Sequence, residues 1–260
     1  MKNMKALKQI IIAAIFITAV FACKKSDKTN VEFTFITVAD STGNYTDDTT
    51  INCFISISYY DAKCNGNKTF LADSINKDFF AWLSISEDSE IVVTRDNLKE
   101  CVAAEINRFI KEINEDESLA DCESCRYSEH IVEPQLQYQN SKIVSLVYSY
   151  YQYSGGAHGM YGITTFNYDK KDGTVVNIDN LSSNIDSLTV IAQKAFVEQN
   201  GSLDDFWFDD DGFYLPNTFY FDTDYIIFYY HLYDIAPYAA GDFKVMLSND
   251  EVKHLVKYIE

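Results

Sequence analysis

The chain has 260 residues, 47% of them hydrophobic, which suits one large domain or two small ones and excludes a disordered chain. Lys and Arg number 21 against 39 Asp and Glu, and the resulting formal charge of -18 disfavours nucleic acid as a partner. With 19 Tyr and 18 Phe but only 3 Pro and 10 Gly, collagen-like and low-complexity architectures are excluded, and strands that turn Tyr toward water or a ligand are expected.

Lys2, Lys5 and Lys8 precede an apolar run from Ile10 to Ala22 broken only by Thr18, too short to cross about 30 Å of hydrocarbon comfortably. Residues 1–22 read as a signal peptide. Its end, Val20-Phe21-Ala22-Cys23, resembles the bacterial lipobox, in which a small residue precedes a Cys that is acylated before cleavage. The alternative is a plain secretory signal in which Cys23 is incidental. On the lipobox reading Cys23 becomes a lipidated N-terminus that holds the protein to a bilayer in the cell envelope, and residues 23–30 are a polar, flexible tether. Cleavage removes three Lys and no acid, which leaves a charge of -21.

Residues 31–38 and 51–60 are rich in β-branched and aromatic side chains and flank the turn-forming Asp40-Ser41-Thr42-Gly43-Asn44, which predicts two strands. Ile75, Phe79, Trp82 and Leu83 have helical spacing, and Leu98, Val102, Ile106, Phe109 and Ile113 form a stronger stripe, so two helices are expected to pack on one sheet face. Strands at 131–139, 142–153, 160–168 and 174–178, punctuated by Ser154-Gly155-Gly156-Ala157 and Asp172-Gly173, predict an antiparallel meander. A helix with Ile185, Leu188, Ile191, Ala192 and Ala195 inward is capped by Ser183 or Asn184 and stops at Gly201. A hairpin of 217–221 and 225–230, a strand at 243–247 and a closing helix on Val252, Leu255, Val256 and Ile259 complete the chain. The fold class is α+β: antiparallel sheets with helices on one face, in two successive halves at 31–173 and 174–260.

Two passages carry a family resemblance. One is Ser149-Tyr150-Tyr151-Gln152-Tyr153-Ser154-Gly155-Gly156-Ala157-His158-Gly159, leading into Thr165-Phe166-Asn167-Tyr168-Asp169. The other, more specific, is Tyr233-Asp234-Ile235-Ala236-Pro237-Tyr238-Ala239-Ala240-Gly241. The pair is similar to the extracellular part of the lysozyme-sensing anti-sigma factor RsiV and to the non-catalytic N-terminal region of a PdaC-type peptidoglycan deacetylase. The resemblance implies an exported α+β module that binds a lysozyme-like basic protein or accompanies peptidoglycan chemistry. A lipid-anchor signature stands where the anti-sigma factor has a membrane helix, so direct signalling to sigma is not expected.

The residue types point to holding a partner rather than to catalysis. His130, His158, His231 and His254 are far apart in sequence and form no His-x₃-His pair, so no metal site and no cofactor is read. His158 follows two glycines near Tyr151, Tyr153 and Tyr161, an arrangement suited to a sugar or protein contact; a hairpin turn with His158 bonded to a carbonyl is the plainer reading. Tyr233 and Tyr238 join Tyr225, Phe228, Tyr229 and Tyr230 around the second passage, where Phe and Ile positions suit a core and Tyr hydroxyls remain contact candidates. Asp204, Asp205 and 209–211 read as a solvated acidic loop that lacks the alternating Ca²⁺ pattern.

Of the remaining cysteines, Cys53 and Cys64 bracket a strand and are a possible pair, and Cys101 has Cys122 and Cys125 within reach in sequence. Redox catalysis by Cys122-Glu123-Ser124-Cys125 is disfavoured because Asp121 and Glu123 oppose a thiolate, and a structural disulfide is expected. The competing function is a hydrolase or deacetylase of wall glycans with carboxylates not yet located.

Overall fold

The computed structural model describes residues 31–43, 50–64, 69–85, 92–119, 122–208 and 212–260. The signal peptide, Cys23, the tether and residues 209–211 lie outside them. The first half is a five-stranded sheet, β1 (Val31–Thr42), β2 (Asn52–Cys64), β3 (Tyr127–Gln139), β4 (Ile143–Tyr153) and β5 (Met160–Asp169), in that spatial order. Helices α1 (Thr69–Trp82) and α2 (Leu98–Glu115) cover one face, as the stripes require.

Alternation along β2 sends Cys53, Ile55, Ile57 and Tyr59 into the core, where Leu71, Ile75 and Phe79 of α1 and Leu98, Val102, Ile106 and Phe109 of α2 meet them. Phe79 lies between Tyr59 and Tyr148, with ring centroids 5.3 and 4.9 Å away. Pairing is antiparallel except between β2 and β3, which run parallel. The two helices between them in sequence supply the long crossover that parallel neighbours need.

The second half packs α4 (Ile185–Asn200) on a three-stranded antiparallel sheet, β6 (Phe219–Phe221), β7 (Tyr225–Tyr230) and β8 (Phe243–Ser248). Asn184 caps α4, its side chain accepting from the Ser187 amide at 3.0 Å, and Gly201 ends it. Phe196 presents a ring to Phe206, Phe208, Phe213 and Tyr230 at edge angles. The outer edge of β8 is covered by side chains. Gln199 donates to the Met246 carbonyl at 2.8 Å and accepts from the Met246 amide at 2.9 Å, and Asn200 donates to the Lys244 carbonyl.

Two predicted elements are replaced. Residues 174–178 do not form a strand: Val175 makes one isolated bridge to Tyr168, and Asn177 caps the short helix α3 (Ile178–Leu181) through a capping box with Asn180. The closing helix is cut to one turn, α5 (Asn249–Val252). Beyond it Val256 bridges to Ser182, and the Lys142 ammonium donates to the carbonyls of Lys257 and Ile259 at 2.9 Å each, so tertiary partners take the groups a helix would use.

Cysteine connectivity also differs from one option. Cys122 and Cys125 form a disulfide. Cys53 and Cys64 do not pair, because both lie on β2 at opposite ends of its register with β1, about 36 Å apart at the rise of an extended strand. Cys101 stays on α2 and joins neither member of the bridged pair.

Candidate partner-binding site

The site begins at the turn between β4 and β5. Gly155 and Gly156 have φ 89 and 90, the left-handed region that L side chains rarely adopt. The turn is pinned by the Tyr153 hydroxyl, which donates to the Gly156 carbonyl at 3.0 Å. Three residues on from Gly156, a Cβ on Gly159 would come within 2.5 Å of the Tyr151 ring, so only glycine lets that ring cross the chain. Tyr151 pairs with Tyr161 across the strands.

The second loop follows β7. The His231 amide donates to the Asp234 carboxylate at 2.7 Å and the Asp234 amide returns to the His231 carbonyl at 3.1 Å. Between them Tyr233 is held at φ 69, the only non-glycine residue with positive φ among the described residues. Such a conformation costs about 1–2 kcal/mol for an L residue, and this one is compensated by its neighbours' hydrogen bonds. Ile235 and Ala236 are buried, Pro237 opens a 3-10 turn through Ala240, and Tyr238 points back to the first loop.

The two loops meet there. The His158 imidazole stacks on the Tyr238 ring with centroids 3.6 Å apart and planes 18° from parallel. The Tyr238 hydroxyl donates to the Gly159 carbonyl at 2.8 Å, and His158 Nδ1 lies 3.2 Å from the same oxygen. Tyr233 stands 5.8 Å from Tyr238 and is 49% exposed. Tyr161 is exposed, its hydroxyl 3.8 Å from where a Gly241 Cβ would stand. His158, Tyr233 and Tyr238 thus form a ring-to-ring ridge, while Tyr151, Tyr153 and Tyr161 flank and brace it. Tyr229 and Tyr230, whose hydroxyls were contact candidates, are buried in β7 instead.

Trp207, 53% exposed, is joined to the second loop through its backbone amide, which donates to the Ile235 carbonyl at 2.8 Å. Sequence reasoning passed over it. The signal available was one Trp inside Phe206-Trp207-Phe208, obscured by the acidic residues on both sides.

Burial raises the Tyr151 phenol, and Glu129, Tyr153 and Tyr238 reinforce the shift, so its O–H stays intact. Burial likewise raises Tyr150, with Asp234 adding to it, and Tyr229, with Asp242 adding to it. Behind the loops His231 Nε2 shares a 3.0 Å hydrogen bond with Thr218 Oγ1, while Nδ1 is buried without a partner. Burial lowers its basicity against the opposing pull of Asp234 and Asp242. Among the described residues no three His, Cys, Asp or Glu side chains are grouped to hold a metal ion.

Residues 46–161 match the family model described as Deacetylase PdaC, and residues 176–250 match DUF3298, a family of unknown function. The first passage through Tyr161 falls in one match and the Ile235-Ala236-Pro237-Tyr238 string in the other, as their resemblance implies. The fold is that of solved DUF3298 proteins. A member from Bacteroides fragilis is 21% identical, with 89% of this chain and 95% of that chain covered at a TM-score of 0.69. One from Pseudomonas aeruginosa is 14% identical over 87% and 94%, at 0.55. Comparison with curated proteins finds no match.

Proposed function

We propose that this protein is a non-enzymatic envelope lipoprotein, anchored through Cys23, whose acidic module holds a lysozyme-like basic protein at the ridge of His158, Tyr233 and Tyr238. The observation that carries the reading is Tyr233. A tyrosine kept in a left-handed conformation and half exposed, beside a stacked His–Tyr pair, has no packing purpose that a glycine would not serve better. Flat exposed rings accept Arg and Lys side chains over their faces, and the exposed Asp234, next to Tyr233 in the chain, supplies negative charge beside them. The overall charge of -18 steers a cation toward them.

A titration of a basic lysozyme into the protein, across a salt series, tests this. Affinity falls steeply between 20 and 300 mM salt if charge guides the encounter, by roughly tenfold or more given Debye screening. No binding at low salt contradicts it.

A second reading, peptidoglycan itself, is favoured by the same exposed rings, since sugar faces stack on Tyr and Trp. Its mark is retention on purified peptidoglycan that does not respond to salt.

A further inference from the structure

We infer that the Cys122–Cys125 disulfide is a reducible clasp on the turn that carries His158, through which a dithiol reductant controls the order of the aromatic ridge. The bridge joins cysteines three positions apart. A ring that small restrains the unfolded chain little, so the effect of the bridge is local and its location decides what it does. That location is the site. A Cβ on Gly155 would come within 3.0 Å of Cys125 Cα and 3.2 Å of the Ser124 carbonyl oxygen, so the backbone of the bridged loop forms the floor on which the turn rests. From Gly155 the contact runs through Gly156, tied to Tyr153, to His158 and its stack on Tyr238.

The bridged loop is partly exposed, and the Cys125 amide donates to Cys122 Sγ at 3.3 Å. Cys53, by contrast, is buried, and burial pushes its thiol up to about 11, which leaves it inert. In the exchange a thiolate of the reductant attacks one bridge sulfur and forms a mixed disulfide. The S–S bond breaks, and the departing cysteine leaves as a thiolate that takes up the proton the attacking thiol lost. The reductant's second thiol then displaces the other cysteine, so two electrons and two protons pass to Cys122 and Cys125 and the reductant ends as a disulfide. The adjacent Glu123 opposes a cysteine thiolate, which makes the pair a target of exchange rather than a catalyst. Once opened, the loop offers Gly155 no fixed floor, and the turn loosens.

As regulation of binding this rests on the function proposed above; as a property of the turn it stands independently, and the test reads the turn. In the full chain the Tyr238 ring current displaces the His158 imidazole proton resonance, which is assigned with His158→Gln. On adding dithiothreitol, that resonance is expected to move to the free-imidazole position while those of the half-buried His130 and His231 hold, and reoxidation reverses it. The variant C122S/C125S shows the moved resonance without reductant. A His158 resonance that stays displaced overturns the inference, as does simultaneous movement of all three, which would make the bridge a staple of the whole fold. Lysozyme titration of both redox states separates the claims, since a turn that loosens in a protein binding nothing in either state contradicts the function and leaves the clasp standing.

Discussion

The Asn167 side chain donates to the Phe219 carbonyl at 2.7 Å and joins β5 of the first sheet to β6 of the second. Ser145 completes the joint, its hydroxyl donating to Asn167 Oδ1 at 2.6 Å and accepting from the Phe221 amide at 3.1 Å. Asn167 and Ser145 are both buried, so each satisfied group removes a desolvation penalty that would otherwise oppose docking of the halves. The ridge lies across the same junction, with His158 from the first half and Tyr233 and Tyr238 from the second, and its geometry depends on that docking.

Asn167→Leu therefore destabilises the protein by about 2–4 kcal/mol, because in a dry site it takes away the donor to the Phe219 carbonyl and the acceptor of the Ser145 O–H, which keeps only its bond from the Phe221 amide. Urea unfolding followed by circular dichroism checks it. A loss below the error of the midpoint would mean the joint is dispensable.

Tyr233→Gly separates strain from purpose. The glycine relieves a conformation costing about 1–2 kcal/mol, so stability holds or rises while the ridge loses its outermost ring. Thermal unfolding measures the first effect and lysozyme titration the second, where at least a tenfold loss of affinity is expected. A variant that is clearly less stable would show the ring to be structural.

Acid weakens the fold through two half-buried imidazoles. His130 and His231 are both held below the ordinary value of 6.5 by burial, so the unfolded chain binds more protons than the native one in the window just below 6.5. Stability is fully present above that value and falls as pH drops toward the folded-state pKa values. Denaturation midpoints between pH 8 and 5 follow this course, and His231→Asn flattens it in part, His130 keeping the remainder.

Gln199→Ala uncovers the Met246 amide and carbonyl at the edge of β8. The native fold loses about 1–2 kcal/mol, and the open edge recruits a second chain, so light scattering reports concentration-dependent association absent from the parent.

Much of the fold was legible where the chemistry is local. Asn184 and Gly201 bound α4 because capping needs only residues within a turn, and the α2 stripe reads directly as the buried face of a helix. Reading failed where distant groups decide. Val175 and Val176 favour a strand, but Asn177 finds a helix-capping partner in Asn180, and the C-terminal stripe yields to the Lys142 ammonium. The parallel β2–β3 pairing depends on a crossover that no single segment records. At the site, Tyr238 and Gly159 are 79 positions apart; spacing says nothing of their bond, and only the resemblance that the two passages carry together linked them. The strain at Tyr233 is a backbone property with no residue signature, since glycine is the usual occupant of such a position.

The central claim, that stacked rings spanning the two halves hold a basic partner, is tested most directly by titrating a basic lysozyme into the double variant H158A/Y238A beside the parent. The account predicts unchanged far-ultraviolet circular dichroism and cooperative unfolding, together with a loss of affinity of about a hundredfold, the scale of two contacts worth roughly 1–1.5 kcal/mol each. Equal affinity in a folded double variant would contradict it.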